Sequence, residues 1–180
     1  GTEVLTEKGY SAVGVDEILQ RTGISRCSFY YYFKTKEGFG AELIDRYRHF
    51  ITQKLERCLS DTSLSPLGSL RAFVGEVRDE MARTDCRSGC LAGKLAQEVN
   101  TLPENFREQL SAVFAEWQDV FARGLKRAQE TGEISPELDC ASTAAFFWYG
   151  WEGALQRANL ELNIKPVDIF IGNFFSRLTG

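Results

Sequence analysis

Between Pro103 and Gly132 large apolar residues recur at intervals of three and four: Phe106, Leu110, Phe114, Trp117, Phe121 and Leu125. At 3.6 residues per turn this spacing gathers all six side chains on one stripe, whereas a strand would scatter them over both faces. Pro103 suits the first turn of such a helix, and Gly132 suits the left-handed residue just past its end. A stripe of this length has to be buried against other helices. Those are written in the rest of the chain, where no segment alternates apolar and polar residues over six or more positions with β-branched enrichment. The expected fold class is all-α.

Nine helices follow from the pattern. Thr2 to Lys8 reads as the end of a helix stopped by Gly9. Residues 15–22 form a short helix stopped by Gly23, with Val15, Ile18 and Leu19 on one face, and a second short helix covers 26–32. Thr35 is a plausible N-cap for a long helix over 36–60, with Glu37 in its first turn to suit the helix dipole and Phe39, Leu43, Tyr47, Phe50, Ile51 and Leu55 on its apolar stripe. Helices over 66–84, 90–100 and 103–131 come next. Asp139 caps one over 140–160, and Pro166 opens the last, to about Leu178.

Composition narrows the function. With 180 residues, 43% of them hydrophobic, the chain is long enough for a real core, and no apolar run of 18 residues is present to cross a membrane. No signal peptide stands at the start, so a cytoplasmic protein is expected. The chain opens at Gly1 rather than Met, so the first helix is expected to be cut short. Its five cysteines (27, 58, 86, 90 and 140) are odd in number and irregular in spacing, which argues against a disulfide framework. His49 is the one histidine, which removes most zinc sites and most Ser-His or Cys-His catalysis. No glycine-rich phosphate loop is present. The expectation is no enzyme, no metal and no cofactor.

The informative segment is 15–33. Two short helices joined at Thr22-Gly23-Ile24-Ser25 read as a helix-turn-helix, with Gly23 supplying the left-handed turn residue and Ile18, Leu19, Ile24 and Phe29 the small core that sets the angle. The second helix then carries Ser25, Arg26, Ser28, Tyr30 and Tyr31 on or near its exposed side. These residue types donate to phosphate, and arginine also to guanine edges. Charge points the same way. From Arg21 to Lys54 seven basic residues face three acids, although the whole chain carries −4. A solvated basic helix face would give the same balance, so charge alone does not decide.

The segment from Val15 to Phe39, and above all Ser28-Phe29-Tyr30-Tyr31-Tyr32-Phe33 followed by Thr35-Lys36-Glu37, resembles the DNA-binding segment of the TetR family of bacterial repressors. Gly132-Glu-Ile-Ser-Pro-Glu-Leu-Asp139 resembles the usual lead into that family's eighth helix, and the count of nine helices agrees. The resemblance implies a helix-turn-helix DNA-binding domain over 1–45 and a ligand-binding and dimerisation domain over 46–180. By position it implies that Ser28, Tyr30 and Tyr31 touch DNA, that Arg26 sits where base contacts are made, and that Lys36 binds a phosphate at the start of helix four. Tyr32 has an equal reading as a packing aromatic. Two departures stand out: Val15 replaces the usual capping Thr of helix two, and Cys27 replaces a small residue.

For the body, the resemblance implies a small-molecule site among helices four to eight and a homodimer through the last two helices. Phe73, Val77, Met81, Phe114, Trp117, Phe121, Trp148 and Trp151 are compatible as lining. Phe147, Gly150, Ile169, Phe170, Asn173 and Phe174 are compatible as dimer face. Any such stripe is more often plain core than a ligand site. The implied partners are double-stranded operator DNA, a second copy of the chain, and an inducer or electrophile, with no membrane.

Cys86-Arg-Ser-Gly-Cys90-Leu-Ala-Gly-Lys94 has two readings. Cys90 lies near a helix start, where the dipole favours a thiolate, Lys94 one turn on favours it further, and Cys86 could resolve an oxidised Cys90. Ser88-Gly-Cys-Leu with Lys94-Leu95 also resembles the electrophile-responsive, NemR-like branch of the family. Alternatively Cys90 is a small buried hydrophobe at a tight helix start.

Overall fold

A computed structural model describes residues 1–179. Among them are nine helices and no strand: α1 (Thr2–Lys8), α2 (Val15–Thr22), α3 (Arg26–Phe33), α4 (Lys36–Ser60), α5 (Pro66–Arg83), α6 (Leu91–Gln97), α7 (Glu104–Glu130), α8 (Cys140–Glu161) and α9 (Lys165–Leu178). The all-α expectation holds, and the helix ends lie where local chemistry puts them. Ser25 Oγ accepts the Ser28 N–H at 3.1 Å to start α3. Thr35 Oγ1 accepts the Gly38 N–H at 2.9 Å inside the first turn of α4. Ser65 caps α5, with Pro66 in its first turn, and Asp139 Oδ1 takes two N–H groups at the start of α8. Each such cap satisfies donors that have no partner within the helix. Gly23 closes α2 in the left-handed conformation, φ 70°.

By packing, the described chain divides into two compact units that do not follow a single cut at residue 45. One consists of residues 1–50 with 88–113, the other of 51–87 with the described residues from 114 onward. Residues 88–113, which the boundary at 45 assigned to the body, therefore pack with the N-terminal helices.

In the first unit Ile18 and Phe29 are fully buried, and the Phe29 ring meets those of Tyr30, Phe33 and Phe39 at 5.4, 5.2 and 5.3 Å. Ile24, expected in this small core, is exposed, as is Phe50 on α4. Ile18 is the buried residue of α2 in this small core, and Phe29 is that of α3.

The second unit is organised on aromatic contacts between α5, α7, α8 and α9. Trp117 stacks on Trp148 at 5.1 Å, and Phe121 stacks on Phe147 at 4.1 Å. Phe147 also meets Trp151, Phe170 and Phe174 at 5.7, 5.6 and 5.0 Å. Gly150 is required here: a Cβ on it would stand 2.3 Å from Phe170 Cε2, so only glycine lets α9 approach α8 this closely.

Half of the residues expected on the dimer face are engaged in that packing within one protomer. Phe147 and Phe174 are buried within one protomer, and Gly150 serves the α8–α9 contact of the same chain. Ile169 and Asn173 are exposed and Phe170 is half-buried. The large apolar side chains left exposed on α8 are Phe146, Tyr149 and Leu160, at 59%, 71% and 74%. Among the described residues, no helix is long and apolar enough to cross a membrane, and no cluster of His, Cys, Asp and Glu could hold a metal ion.

Candidate nucleic-acid interface

α3 is short, and its apolar side is used up by Phe29. Phe33 packs on it from the next turn, and the other side chains are exposed or half-exposed. Arg26 is exposed, Ser28 is half-exposed, and Tyr31 and Tyr32 are 69% and 73% exposed, their rings edge to face at 5.1 Å. Tyr30 is exposed to a lesser degree because its ring leans on Phe29. Of the expected DNA residues, Ser25 is the most engaged. Its Oγ accepts the Ser28 amide and donates to Ser28 Oγ at 2.9 Å, so it shapes the helix start more than it offers a free donor. Arg26 is ion-paired with Asp16 of α2, an exposed pair of the kind worth at most about 1 kcal/mol and easily exchanged for a phosphate.

Lys36 sits at the first position of α4 but is not a loose surface lysine. Its Nζ donates to the Tyr10 carbonyl at 2.7 Å and lies 4.1 Å from the centroid of the Tyr10 ring. Burial pushes its ammonium below the ordinary lysine value, and the Glu98 carboxylate pulls the other way. Lys34, between the two helices, takes φ +64°, and its Nζ donates to the Tyr31 carbonyl at 2.7 Å. Sequence reasoning passed over Lys34 and left Tyr32 undecided. The run of three tyrosines was the available signal, since a single turn of helix cannot bury all three.

The departure at Val15 has a visible result: Gly14 is the N-cap of α2 and makes no side-chain cap bond. Cys27 is exposed on α3.

The expected pocket residues lie together in part. Phe73, Trp117 and Trp148 form one aromatic group, with Phe114 edge-on to Trp117 at 5.6 Å. The Trp148 indole N–H is buried and has no hydrogen-bond partner. Phe121 and Trp151 face Phe147 and fill core. Met81 is buried and Val77 half-buried. An open groove of about 800 Å³ lies elsewhere in the second unit, lined by Glu56, Leu59, Ser60, Thr62, Arg123, Lys126, Arg127 and Glu130; none of the expected residues lines it.

Cys90 is the N-cap of α6, its Sγ accepting the Gly93 N–H at 3.4 Å, with Lys94 half-exposed one turn on. Cys86 does not suit the role of resolving thiol in this conformation. It is buried, and burial, then Asp85, push its thiol above the usual range. Asp85 and Cys86 hold consecutive positive φ angles, and Asn159 Nδ2 donates to the carbonyls of Cys86 and Arg87 at 2.8 and 3.1 Å.

Residues 1–43 match the family described as bacterial regulatory proteins, tetR family, and residues 66–174 match the tetracyclin repressor-like C-terminal domain. The chain belongs to the TetR family. It is a DNA-binding transcriptional regulator. Transcriptional regulator AcuR of Cereibacter sphaeroides is 45% identical over 97% of this chain and 80% of its own length. HTH-type transcriptional repressor DhaR of Mycobacterium sp. strain GP1 is 29% identical over 99% of this chain and 88% of its own. The crystal structure of a regulatory protein TetR from Rhodobacter sphaeroides superposes with a TM-score of 0.94 at 45% identity, covering 97% of this chain and 92% of that one. The NemR-like branch is a more distant relation than Ser88-Gly-Cys-Leu led us to expect: NemR of Escherichia coli K12 is 26% identical over 93% of this chain and 84% of its own.

Proposed function

We propose that the protein is a homodimeric repressor that leaves its operator when a small molecule, or covalent modification of Cys90, favours a state of low DNA affinity. The observation that carries the reading is the exposed face of α3, with Arg26, Ser28, Tyr30 and Tyr31 backed by the seated Lys36. The family membership and the printed names of AcuR and DhaR support it.

In this reading each protomer places α3 in a major groove. Two copies meet successive grooves about 34–36 Å apart, so the operator is a pseudo-palindrome. The phosphate contacts supply most of the affinity, which makes binding fall steeply with salt. Pairing uses the exposed apolar residues of α8 and α9, namely Phe146, Tyr149 and Ile169 with Asn173. The effector site is the aromatic group of Phe73, Phe114, Trp117 and Trp148. An effector acts only through the difference in its affinity for the two states, so tight binding alone would not release DNA. The protein acts in the cytoplasm, where its DNA is.

The test is binding of purified protein to the intergenic DNA beside its own gene, with and without N-ethylmaleimide or a mild oxidant. Binding that is lost on treatment, and restored by thiol after the oxidant, supports the cysteine switch. Binding that ignores both reagents leaves the repressor and directs attention to a non-covalent effector. No salt-dependent binding to any duplex contradicts the proposal. Tyr31→Ala is expected to weaken binding with the melting temperature unchanged, and Lys36→Ala to weaken binding without unfolding the protein, at a modest cost in melting temperature from the lost contacts to Tyr10.

A further inference from the structure

We propose that Glu98, in the turn that ends α6, is a positioning residue for DNA binding, holding the loop after α1 so that Tyr10 seats Lys36 beside the recognition helix. The proposal rests on the reading of Lys36 as a phosphate contact.

The chain of contacts is continuous and lies within the first compact unit. Glu98 Oε1 accepts the Tyr10 N–H at 3.1 Å, and Oε2 accepts the Ser11 N–H at 2.8 Å. Ser11 Oγ and Thr101 Oγ1 lie 3.0 Å apart and tie the same loop to the same turn. Gly9 makes the approach possible. Its φ is +82°, and a Cβ there would stand 2.0 Å from Glu98 Oε1. With both amides held, the Tyr10 carbonyl points at Lys36 Nζ and the Tyr10 ring lies beneath the ammonium. The ring is fixed in turn, edge-on to Phe106 at 5.2 Å, over Gly40, where a Cβ would stand 2.8 Å from Tyr10 Cε2.

A lysine side chain normally loses considerable rotamer freedom when it meets a phosphate. Lys36 has already lost it. One of its three N–H donors serves Tyr10, and the arrangement presents the others from a fixed seat. The carboxylate is specific to the task. Two oxygens accept two backbone N–H groups, whereas the amide of glutamine has one oxygen and would set its NH₂ against the second N–H. Glu98→Gln is therefore close to neutral in size yet breaks the clamp.

The experiment uses the full chain, a labelled duplex of the intergenic DNA beside its own gene, and a salt series. The variants are E98Q, E98A, K36A and E98Q/K36A. Amide exchange at Tyr10 and Ser11 is read without DNA. The expected result is faster exchange at both amides in E98Q and an affinity lowered roughly tenfold, with the log–log salt slope reduced by about one. In the K36A background E98Q then costs nothing more, and E98A behaves like E98Q if it folds. Unchanged exchange at the two amides in E98Q overturns the clamp. Unchanged affinity and slope, with wild-type protein binding, overturn the positioning role. So does a tenfold loss that persists in K36A, because Glu98 would then act through the general structure. Wild-type protein that binds no duplex removes the reading underneath, and the proposal with it.

Discussion

Arg78 grips Asp168 with two parallel hydrogen bonds, Nε to Oδ1 at 2.8 Å and Nη2 to Oδ2 at 3.1 Å. The pair joins α5 to the first turn of α9, where a carboxylate also suits the helix dipole. The hydrogen bonds from Arg78 hold the Asp168 carboxyl below the usual range, against a smaller opposing effect of burial.

Because the folded value is the lower one, the pair's contribution is fully present above the ordinary aspartate pKa of about 3.9 and is lost as pH falls through the folded value. Both side chains are partly exposed, so Asp168→Asn is expected to cost no more than about 1 kcal/mol at pH 7. Urea unfolding from pH 7 down to pH 2 checks this. The wild-type and variant stabilities converge at the acid end, and curves that stay parallel would remove Asp168 from the acid response.

Gly9 and Gly23 both have positive φ but are not equivalent. Gly9 takes φ 82° and ψ 166°, a region nearly closed to side chains, and a Cβ would also displace Glu98, while a Cβ at Gly23 meets open space. Gly23→Ala is expected to cost about 1 kcal/mol from the left-handed backbone alone. Gly9→Ala is expected to cost about 3 kcal/mol. Each kcal/mol lowers the melting point by about 2–4 °C in a chain of this length, so calorimetry separates the two. Equal shifts would mean that Glu98 moves aside without cost.

Thiol labelling follows accessibility and the direction of each thiol's shift. Cys27 is exposed, whereas Cys58 and Cys86 are buried and burial raises both thiols. N-ethylmaleimide under native conditions is expected to reach Cys27 first, and Cys58 and Cys86 only after unfolding, as read by peptide mass mapping. Cys90→Ser keeps DNA binding and removes the response to the reagent if Cys90 is the switch. A response that survives Cys90→Ser and vanishes in Cys27→Ser would place the effect on α3 instead.

Two aromatics of α8 with one residue between them give opposite outcomes. Phe147→Ala opens a cavity beneath Phe121 and is expected to cost about 3–5 kcal/mol of stability. If α8 forms the interface proposed above, Tyr149→Asp is expected to leave helix content and melting close to wild type but to shift the sedimenting mass to that of one chain. A Tyr149→Asp protein that remains dimeric would move the interface to another face.

Most helix ends were legible because their signals are local. Thr35, Asp139, Pro66 and Gly23 each act within one turn, and a one-dimensional pattern captures that. Cys90 was harder. Cysteine is outside the usual set of capping residues, so α6 begins one residue later than the pattern implied, and it ends earlier at Gln97. The two sides of α8 were not legible. Phe146, Phe147, Trp148 and Tyr149 put aromatic surface all round the helix, and which side is inside is decided by partners distant in sequence: Trp117 on Trp148, Phe121 and Phe174 on Phe147, and Phe170 on Gly150. In the candidate interface the exposed residues of α3 could be read, because Phe29 fixes which side is buried. The seat of Lys36 could not. A glutamate in a polar turn reads as a surface charge, and its two amide partners lie far back in the sequence. Gly9 was the one local trace of it.

Since a Cβ at position 9 and the carboxylate at position 98 claim the same space, neither position is free to drift alone. A lineage that replaces the glycine must first shorten the acid, and one that shortens the acid leaves two amides bare. Divergence at the edge of the DNA-reading helices is thereby tied to divergence at the end of α6, and the two sites should change together or stay as they are.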